Sequence, residues 1–164
     1  MELSIKTCVL IISILFTGLT AGLCFTWSNA VTPGIGRLDD LNFLQSFQLM
    51  NRAIINPIFL VVFFSPAVLL FVNALQFKTA NQSAFVPFLL AAILFFIGIG
   101  LITIFKNVPL NELLDHIPLQ TATKEELADI RKTFEHPWNR WHMVRTACSF
   151  ASFVLLLIGW FGVK

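Results

Sequence analysis

His142 and Arg145 are the residues in this chain best suited to acid–base chemistry. They lie three positions apart, which places both side chains on one face of a helix. Histidine exchanges protons near neutral pH, and its neighbours tune that exchange. Arg145 lies one turn inside an apolar run, where an unpaired charge is costly, so we expect its side chain to point inward. Asp39, Asp40 and Asp115 are alternative counter-charges, and the sequence does not choose among them.

Both residues also have interpretations without catalysis. His142 could simply hydrogen-bond a backbone carbonyl, and Arg145 could extend along its helix to the membrane surface. A metal site is only weakly indicated, because His116, His136 and His142 lack a regular ligand spacing. The sequence therefore predicts no metal and leaves these two roles open.

Further polar and tryptophan residues are concentrated at one expected boundary of the membrane. That boundary receives the ends of the first and third helices and the starts of the second and fourth. The residues expected there are Trp27, Asn29, Arg52, Asn56, Asn107, Asn111, Trp138, Trp141, His142 and Arg145. Tryptophan and arginine are also common at membrane interfaces, which is the simpler explanation for Trp27 and Trp138 taken singly. We nevertheless predict that the set meets at one mouth of one bundle.

Four long apolar runs must position these residues. They cover about residues 7–28, 55–77, 84–105 and 142–162, and a helix needs roughly 20 apolar residues to cross a bilayer. The 164 residues are 57% hydrophobic and 12% charged, which leaves no room for a separate soluble domain. The sequence therefore predicts an all-α fold, a four-transmembrane-helix bundle that forms a single membrane domain over residues 1–164.

The segments between the runs differ in length. Residues 29–54 and 106–141 are long loops predicted on one side of the membrane, opposite the termini and the short connection at 78–83. The first contains a helical extension before helix two, over about 40–54. Proline and glycine predict breaks in the helix at Pro33 and at Pro109.

A short interfacial helix is predicted before helix four. Thr123 and Glu126 form a capping box, which is typical of a helix start. The apolar face of this helix runs to about Phe134, and His136 with Pro137 is expected to end it. The fourth span would then begin at about residue 142.

Charge predicts how the chain is oriented. The net charge of +2 is too small to indicate a nucleic-acid partner. Basic residues on the long-loop side are Arg37, Arg52, Lys106, Lys124, Arg131, Lys132 and Arg140, against Lys6, Lys78 and Lys164 on the terminal side. The positive-inside rule therefore places the long loops in the cytoplasm and the termini outside, in an integral protein of the plasma (inner) membrane.

Four segments, in this order and spacing, resemble one known family. They are 18–25 (GLTAGLCF), 51–57 (NRAIINP), 107–111 (NVPLN) and 138–146 (WNRWHMVRT). Together they resemble the DUF1772 family, also called the anthrone oxygenase-like family, over almost the whole chain. The resemblance implies a four-helix membrane protein. For some fungal relatives it implies oxidation of an anthrone to an anthraquinone by O2 with no evident cofactor.

Anthrone chemistry suggests a division of roles. The reaction needs a base for one proton, hydrogen-bond donors for an enolate oxygen and flat surfaces for the rings. The predicted catalytic residues are His142 as base, with Arg145, Asn107, Asn111 and Arg52. The predicted substrate-binding residues are Trp27, Asn29, Asn56, Trp138 and Trp141.

A second interpretation requires no catalysis. The same mouth could bind a membrane lipid, a small aromatic or quinone-like ligand, or a partner helix. A transport role would require a homo-oligomer, because the chain shows no inverted repeat. An enclosed, water-poor cavity that contains His142 would favour catalysis over a partner surface.

Overall fold

The computed structural model of the protein describes residues 4–79 and 81–163. This part of the chain is almost entirely helical and contains no strand. Its five helices are α1 (Ile5–Ile35), α2 (Asp40–Ile54), α3 (Pro57–Phe77), α4 (Gln82–Asp115) and α5 (Lys124–Val163). All except α2 are long and apolar enough to cross a membrane. The predicted all-α fold, with four spans and a helical extension before the second, is therefore confirmed. Lys164, which entered the orientation prediction, lies outside the described residues.

The four long helices form a closed ring. α1 packs against α3 and α5, and α4 packs against the same two helices. The closest approach is between α4 and α5, where a side-chain carbon at Gly98 would overlap Cys148 and one at Gly159 would overlap Phe88. Small residues allow such approach in membranes, where packing rather than the hydrophobic effect holds helices together.

Local capping explains where α2 and α3 begin. The Asp39 carboxylate accepts from the Asn42 backbone N–H at 3.0 Å and from its side-chain amide at 2.6 Å, which together hold the pKa of Asp39 below its usual value. The Asn56 side chain accepts from the Phe59 N–H at 3.0 Å, and Pro57 occupies the first turn of α3. The chain is therefore broken at Ile55 and Asn56, between the extension and the second span.

The prediction of a separate interfacial helix before helix four is wrong in one respect. The capping box exists, since the Thr123 N–H donates to Glu126 Oε2 at 2.8 Å and the Glu126 N–H donates to Thr123 Oγ1 at 3.3 Å. The helix that it opens, however, continues through Pro137 to Val163 as the single helix α5.

Packing on both sides of Pro137 explains this continuity. Proline in a helix interior costs about 3 kcal/mol. Phe134 and Trp138 flank it and each contacts the Phe47 ring of α2, with ring centroids 4.8 Å apart in both cases. Burying one such ring contributes roughly 1.5–3 kcal/mol. The buried face of α5 therefore outweighs the lost hydrogen bond.

Two other predicted breaks are also helical. α1 runs on to Ile35 and α4 to Asp115, past the predicted span ends at 28 and 105. In each, a wide π-helical turn precedes the proline: the Thr32 N–H donates to Trp27 O before Pro33, and the Val108 N–H donates to Thr103 O before Pro109. Such turns satisfy backbone groups that proline would otherwise leave free. The two long connecting segments are thus largely helical.

These two segments contact one another through Arg131 of α5. Its guanidinium donates to the carbonyls of Gly36 at 2.7 Å and Leu38 at 2.8 Å, and it pairs with Asp40 at 3.0 Å and with Glu135 at 2.7 Å. At the other end of the bundle, the Asn81 amide donates to the Gly162 carbonyl at 2.7 Å. The ends of the helices are therefore tied together by polar contacts.

Candidate functional site

A cavity of about 350 Å³ lies inside the bundle, and all five helices contribute to its wall. This volume falls in the range of roughly 300–1,000 Å³ that is typical of small-molecule sites. The apolar part of the wall consists of leucine, isoleucine, phenylalanine and tryptophan side chains with Cys24 and Val108. Its polar and charged members are Asn51, Arg52, Thr103, Asn107, Asn111, Glu112, Asp115, His116, His142 and Arg145.

The cavity brings together most of the residues expected from the sequence. Those that line it are Trp27, Arg52, Asn107, Asn111, Trp138, His142 and Arg145. They come from α1, α2, α4 and α5, and a hydrogen bond between His142 and Cys24, which also lines the cavity, joins positions 118 residues apart. The cavity also contains several side chains that can face a flat ring, including Phe59, Phe63 and Phe64 of α3.

Asn29, Asn56 and Trp141 do not line this cavity. Asn29 is exposed on the wide turn of α1. Asn56 is held by its capping role at the start of α3, where its amide also donates to the Ala53 carbonyl at 3.1 Å. The Trp141 ring lies instead near two cations, 5.2 Å from Lys106 Nζ and 5.9 Å from the Arg140 guanidinium. The sequence alone does not show which of Trp138 and Trp141 faces the cavity, because this depends on the rotation of the helix about its axis.

His142 and Arg145 form a hydrogen-bonded pair in the cavity wall. Arg145 Nη2 lies 2.8 Å from His142 Nδ1, and His142 Nε2 lies 3.1 Å from the Cys24 carbonyl oxygen. Because a guanidinium only donates, Nδ1 must accept, and Nε2 must carry the proton that is donated to Cys24. The pair therefore fixes a neutral imidazole, whose plane stacks on Trp138 with ring centroids 4.8 Å apart.

Arg145 is buried without a counter-charge. Its exposed fraction is 8%, and among the residues that the structure describes no carboxylate pairs with it. Asp115 pairs with Arg52 at 2.6 Å and Asp40 pairs with Arg131, so two of the three proposed partners are engaged elsewhere. Arg145 Nη1 donates to Thr103 Oγ1 at 3.1 Å, whereas Nε has no partner.

Two amides in the same wall also hold unpaired atoms. Asn107, which is 1% exposed, donates to the Trp138 carbonyl at 3.2 Å but leaves Oδ1 without a donor. Asn51 leaves Nδ2 without an acceptor. The side-chain oxygen of Asn111, in contrast, is paired, because Oδ1 accepts from Trp138 Nε1 at 2.7 Å. Buried polar groups are rarely left unpaired, so these atoms and Arg145 Nε mark a place for a polar ligand or for water.

Asn51 and Thr103 were missed as site residues. Asn51 occupies the face of α2 that also buries Phe43, Phe47 and Gln48, so the spacing of apolar residues along α2 was a usable signal. Thr103 lies four residues before Asn107, so the spacing of one helical turn was a usable signal for it as well. Within residues 4–79 and 81–163, no group of three or more His, Cys, Asp or Glu side chains is placed to hold a metal ion.

The four apolar helices define an integral membrane protein, and a cavity lies among its helices. A family model described as anthrone oxygenase matches residues 43–155, more than half of the chain, and the chain therefore belongs to the anthrone oxygenase family. The family predicted from the sequence is thus confirmed. The matched region contains all the cavity residues except Leu23, Cys24 and Trp27. No curated protein and no solved structure matches the chain.

Proposed function

We propose that this protein oxidises a flat phenolic ketone of the anthrone type to a quinone, with O2 as the oxidant and no cofactor. The observation that carries the proposal is the buried, uncompensated Arg145 guanidinium beside His142 in an aromatic cavity. A cation placed in this way favours a ligand whose oxygen becomes negative during the reaction. The family match supports the same class of chemistry.

The proposed reaction balances without a further reactant. The anthrone methylene carbon loses a proton, and the resulting enolate transfers one electron to O2. The radical and superoxide then combine through a new C–O bond, which gives a peroxide. Loss of the second methylene hydrogen as a proton breaks the O–O bond and releases water. One anthrone and one O2 thus become one anthraquinone and one water.

The protein contributes position and charge to this sequence. We assign Arg145 to the enolate oxygen, with Asn107 and Asn51 as further polar contacts. A ligand oxygen that accepts from both Nε and Nη2 of Arg145 competes with His142 Nδ1, which now accepts from Nη2. Binding would therefore release Nδ1, which then takes the methylene proton while Nε2 remains on the Cys24 carbonyl. The burial of Arg145 and His142 strengthens the electrostatic interactions that these two side chains make.

A non-catalytic role at the same cavity is the second candidate. One observation favours it: both ring nitrogens of His142 already have hydrogen-bond partners. In that case Arg145 would bind the oxygen of a quinone-like ligand or a lipid headgroup, and no O2 would be consumed. Oxygen uptake therefore separates the two candidates.

Turnover of 1,8-dihydroxyanthrone by the purified protein in lipid nanodiscs tests the proposal. We expect O2 uptake above the spontaneous background, with one O2 consumed for each quinone that forms. Trp27→Leu should raise KM about three- to tenfold, because losing one aromatic contact costs roughly 0.5–1.5 kcal/mol. Trp141→Leu is the matched control, since both rings are half-buried but only Trp27 lines the cavity. Quinone formation at the background rate alone would leave only the binding role.

We further propose that the long connecting segments face the cytoplasm and that both termini lie outside the plasma membrane. The excess of basic residues on the long-segment side supports this orientation. Thr79 and Thr121 are exposed residues on opposite sides in this topology. In a cysteine-free background, an impermeant maleimide added to intact spheroplasts should label Thr79→Cys and not Thr121→Cys. The reverse pattern would contradict the orientation.

A further inference from the structure

A groove on the outer face of the bundle adjoins the cavity. It lies between α1 and α3 and is lined by Leu19, Thr20, Leu23, Ile54, Asn56, Ile58, Phe59, Val62 and Phe63. Four of these residues also line the cavity, namely Leu23, Ile54, Phe59 and Phe63. The two spaces therefore share these side chains as a common wall. Because α1 and α3 are candidate membrane spans, the groove opens towards lipid.

The composition of the cavity changes from one side to the other. The α1 and α3 side contributes mainly apolar and aromatic side chains, such as Leu23, Phe59 and Phe63. The unpaired Arg145 and Asn107 atoms lie on α5 and α4, which contribute nothing to the groove. A flat molecule that passes from the groove would therefore cross an apolar wall before it meets the polar groups.

Polar contacts join α2 to α4 and to the chain that follows α4 at one end of the cavity. Arg52 of α2 pairs with Asp115 of α4 at 2.6 Å. The Gln48 amide donates to the carbonyls of Leu114 at 2.8 Å and Ile117 at 3.1 Å. These contacts hold α2 against α4 on the side of the connecting segments, whereas in the groove Thr20 Oγ1 of α1 donates to the Val62 carbonyl of α3 at 3.2 Å.

The chain is also non-helical next to the groove. Ile55 adopts φ −77° and ψ 77°, and the Asn56 N–H donates to the Ile54 carbonyl at 2.8 Å in a tight turn. The α2 and α3 helices are therefore joined by a break at the residues that border both spaces. A break of this kind can absorb a change in backbone angles, as hinge residues do in closing domains.

We propose that the cavity takes its ligand sideways from the lipid bilayer, through a portal between α1 and α3 that Leu23, Phe59 and Phe63 close. The ligand class is a lipid-dissolved, flat apolar molecule with a polar edge. This inference deepens the proposed function and names the route to the same site. It does not depend on turnover, so access and catalysis can fail separately.

Chemical labelling of a cysteine in the cavity wall tests the portal. Val108 of α4 is half-buried and lines the cavity but not the groove. Val108→Cys is placed in the full chain after Cys8, Cys24 and Cys148 have been replaced by alanine. The protein, in phosphatidylcholine nanodiscs, is treated with lipid-soluble N-phenylmaleimide or with the charged reagent sulfonatoethyl methanethiosulfonate.

Bulky residues on the groove walls provide the decisive comparison. Leu19→Trp with Ile58→Trp narrows the groove, whereas Leu15→Trp with Val61→Trp places two tryptophans on the same helices outside it. Leu19 and Leu15 are equally exposed, at 57% and 56%. We expect the groove pair to slow N-phenylmaleimide labelling at least about tenfold. The control pair should not change the rate, and the charged reagent should react slowly in all variants.

Each other outcome overturns the portal. If both tryptophan pairs leave N-phenylmaleimide labelling unchanged, the reagent does not pass between α1 and α3. If the charged reagent labels Val108→Cys as fast as the lipid-soluble one, the cavity is open to water. If neither reagent labels Val108→Cys, the cavity is closed to the bilayer. Thermal unfolding of every variant checks that each still folds.

Discussion

Arg145→Met is expected to lower kcat/KM for an anthrone about 100- to 1,000-fold and to leave the bundle at least as stable as the wild type. Loss of one donor to a developing oxyanion typically costs this much. The free energy of unfolding should not fall, because Arg145 is buried with no carboxylate beside it. Removing the charge relieves a cost of several kcal/mol. The substitution also removes the hydrogen bonds to Thr103 and His142. Both of these groups are neutral, so leaving them unpaired costs only about 1–3 kcal/mol.

Arg140→Met is the matched control for this prediction. Arg140 lies on the same helix but is exposed, and it contacts the Trp141 ring rather than the cavity. Oxygen uptake and the thermal midpoint are measured for both variants in the same nanodiscs. If Arg145→Met lowers the thermal midpoint as well as turnover, Arg145 is a structural residue. If Arg145→Met turns over at the wild-type rate, the oxyanion assignment is wrong.

His142→Gln is expected to lower kcat about 100- to 10,000-fold with little change in KM. Glutamine can accept from Arg145 and donate to the Cys24 carbonyl, so the hydrogen bonds at 2.8 Å and 3.1 Å are replaceable. It cannot take a proton at neutral pH, and a positioned general base is worth about this factor. Retention of structure with loss of kcat would therefore identify a proton acceptor rather than a packing residue.

His136→Gln provides the comparison. His136 lies on the same helix, is exposed and does not line the cavity. Single-turnover quinone absorbance gives the chemical step for each variant, and helix content by circular dichroism reports folding. Wild-type kcat in His142→Gln would show that the hydrogen bonds, and not the basicity of the ring, are what the site needs.

The spans were predictable because the hydrocarbon thickness of a bilayer fixes their length and polarity. The continuation of α5 through Pro137 was not predictable. Rules for proline consider the lost backbone hydrogen bond but not the distant contacts of Phe134 and Trp138 with Phe47. Pro33 and Pro109 were misjudged for a related reason. A preceding wide turn accommodates each proline, and the spacing of residues in the sequence does not signal such a turn.

The cavity was predictable in outline and not in detail. Topology alone brings the ends of four helices together, which placed Asn107, Trp138 and His142 correctly. The rotation of a helix decides which side chain turns inward, and this placed Trp141 outside the cavity. The sequence could not show that Arg145 lacks a counter-charge. Helix packing pairs Asp115 with Arg52 and Asp40 with Arg131 instead.

An experimental structure of the protein with 1,8-dihydroxyanthraquinone, a stable analogue of the proposed product, tests the central claim most directly. We predict that the ring system lies in the cavity near Trp27 and Trp138, with one oxygen within about 3.2 Å of the Arg145 guanidinium. His142 Nδ1 should then be released from Arg145. A ligand bound elsewhere, or a cavity filled by an acyl chain with the Arg145–His142 bond intact, would contradict the account.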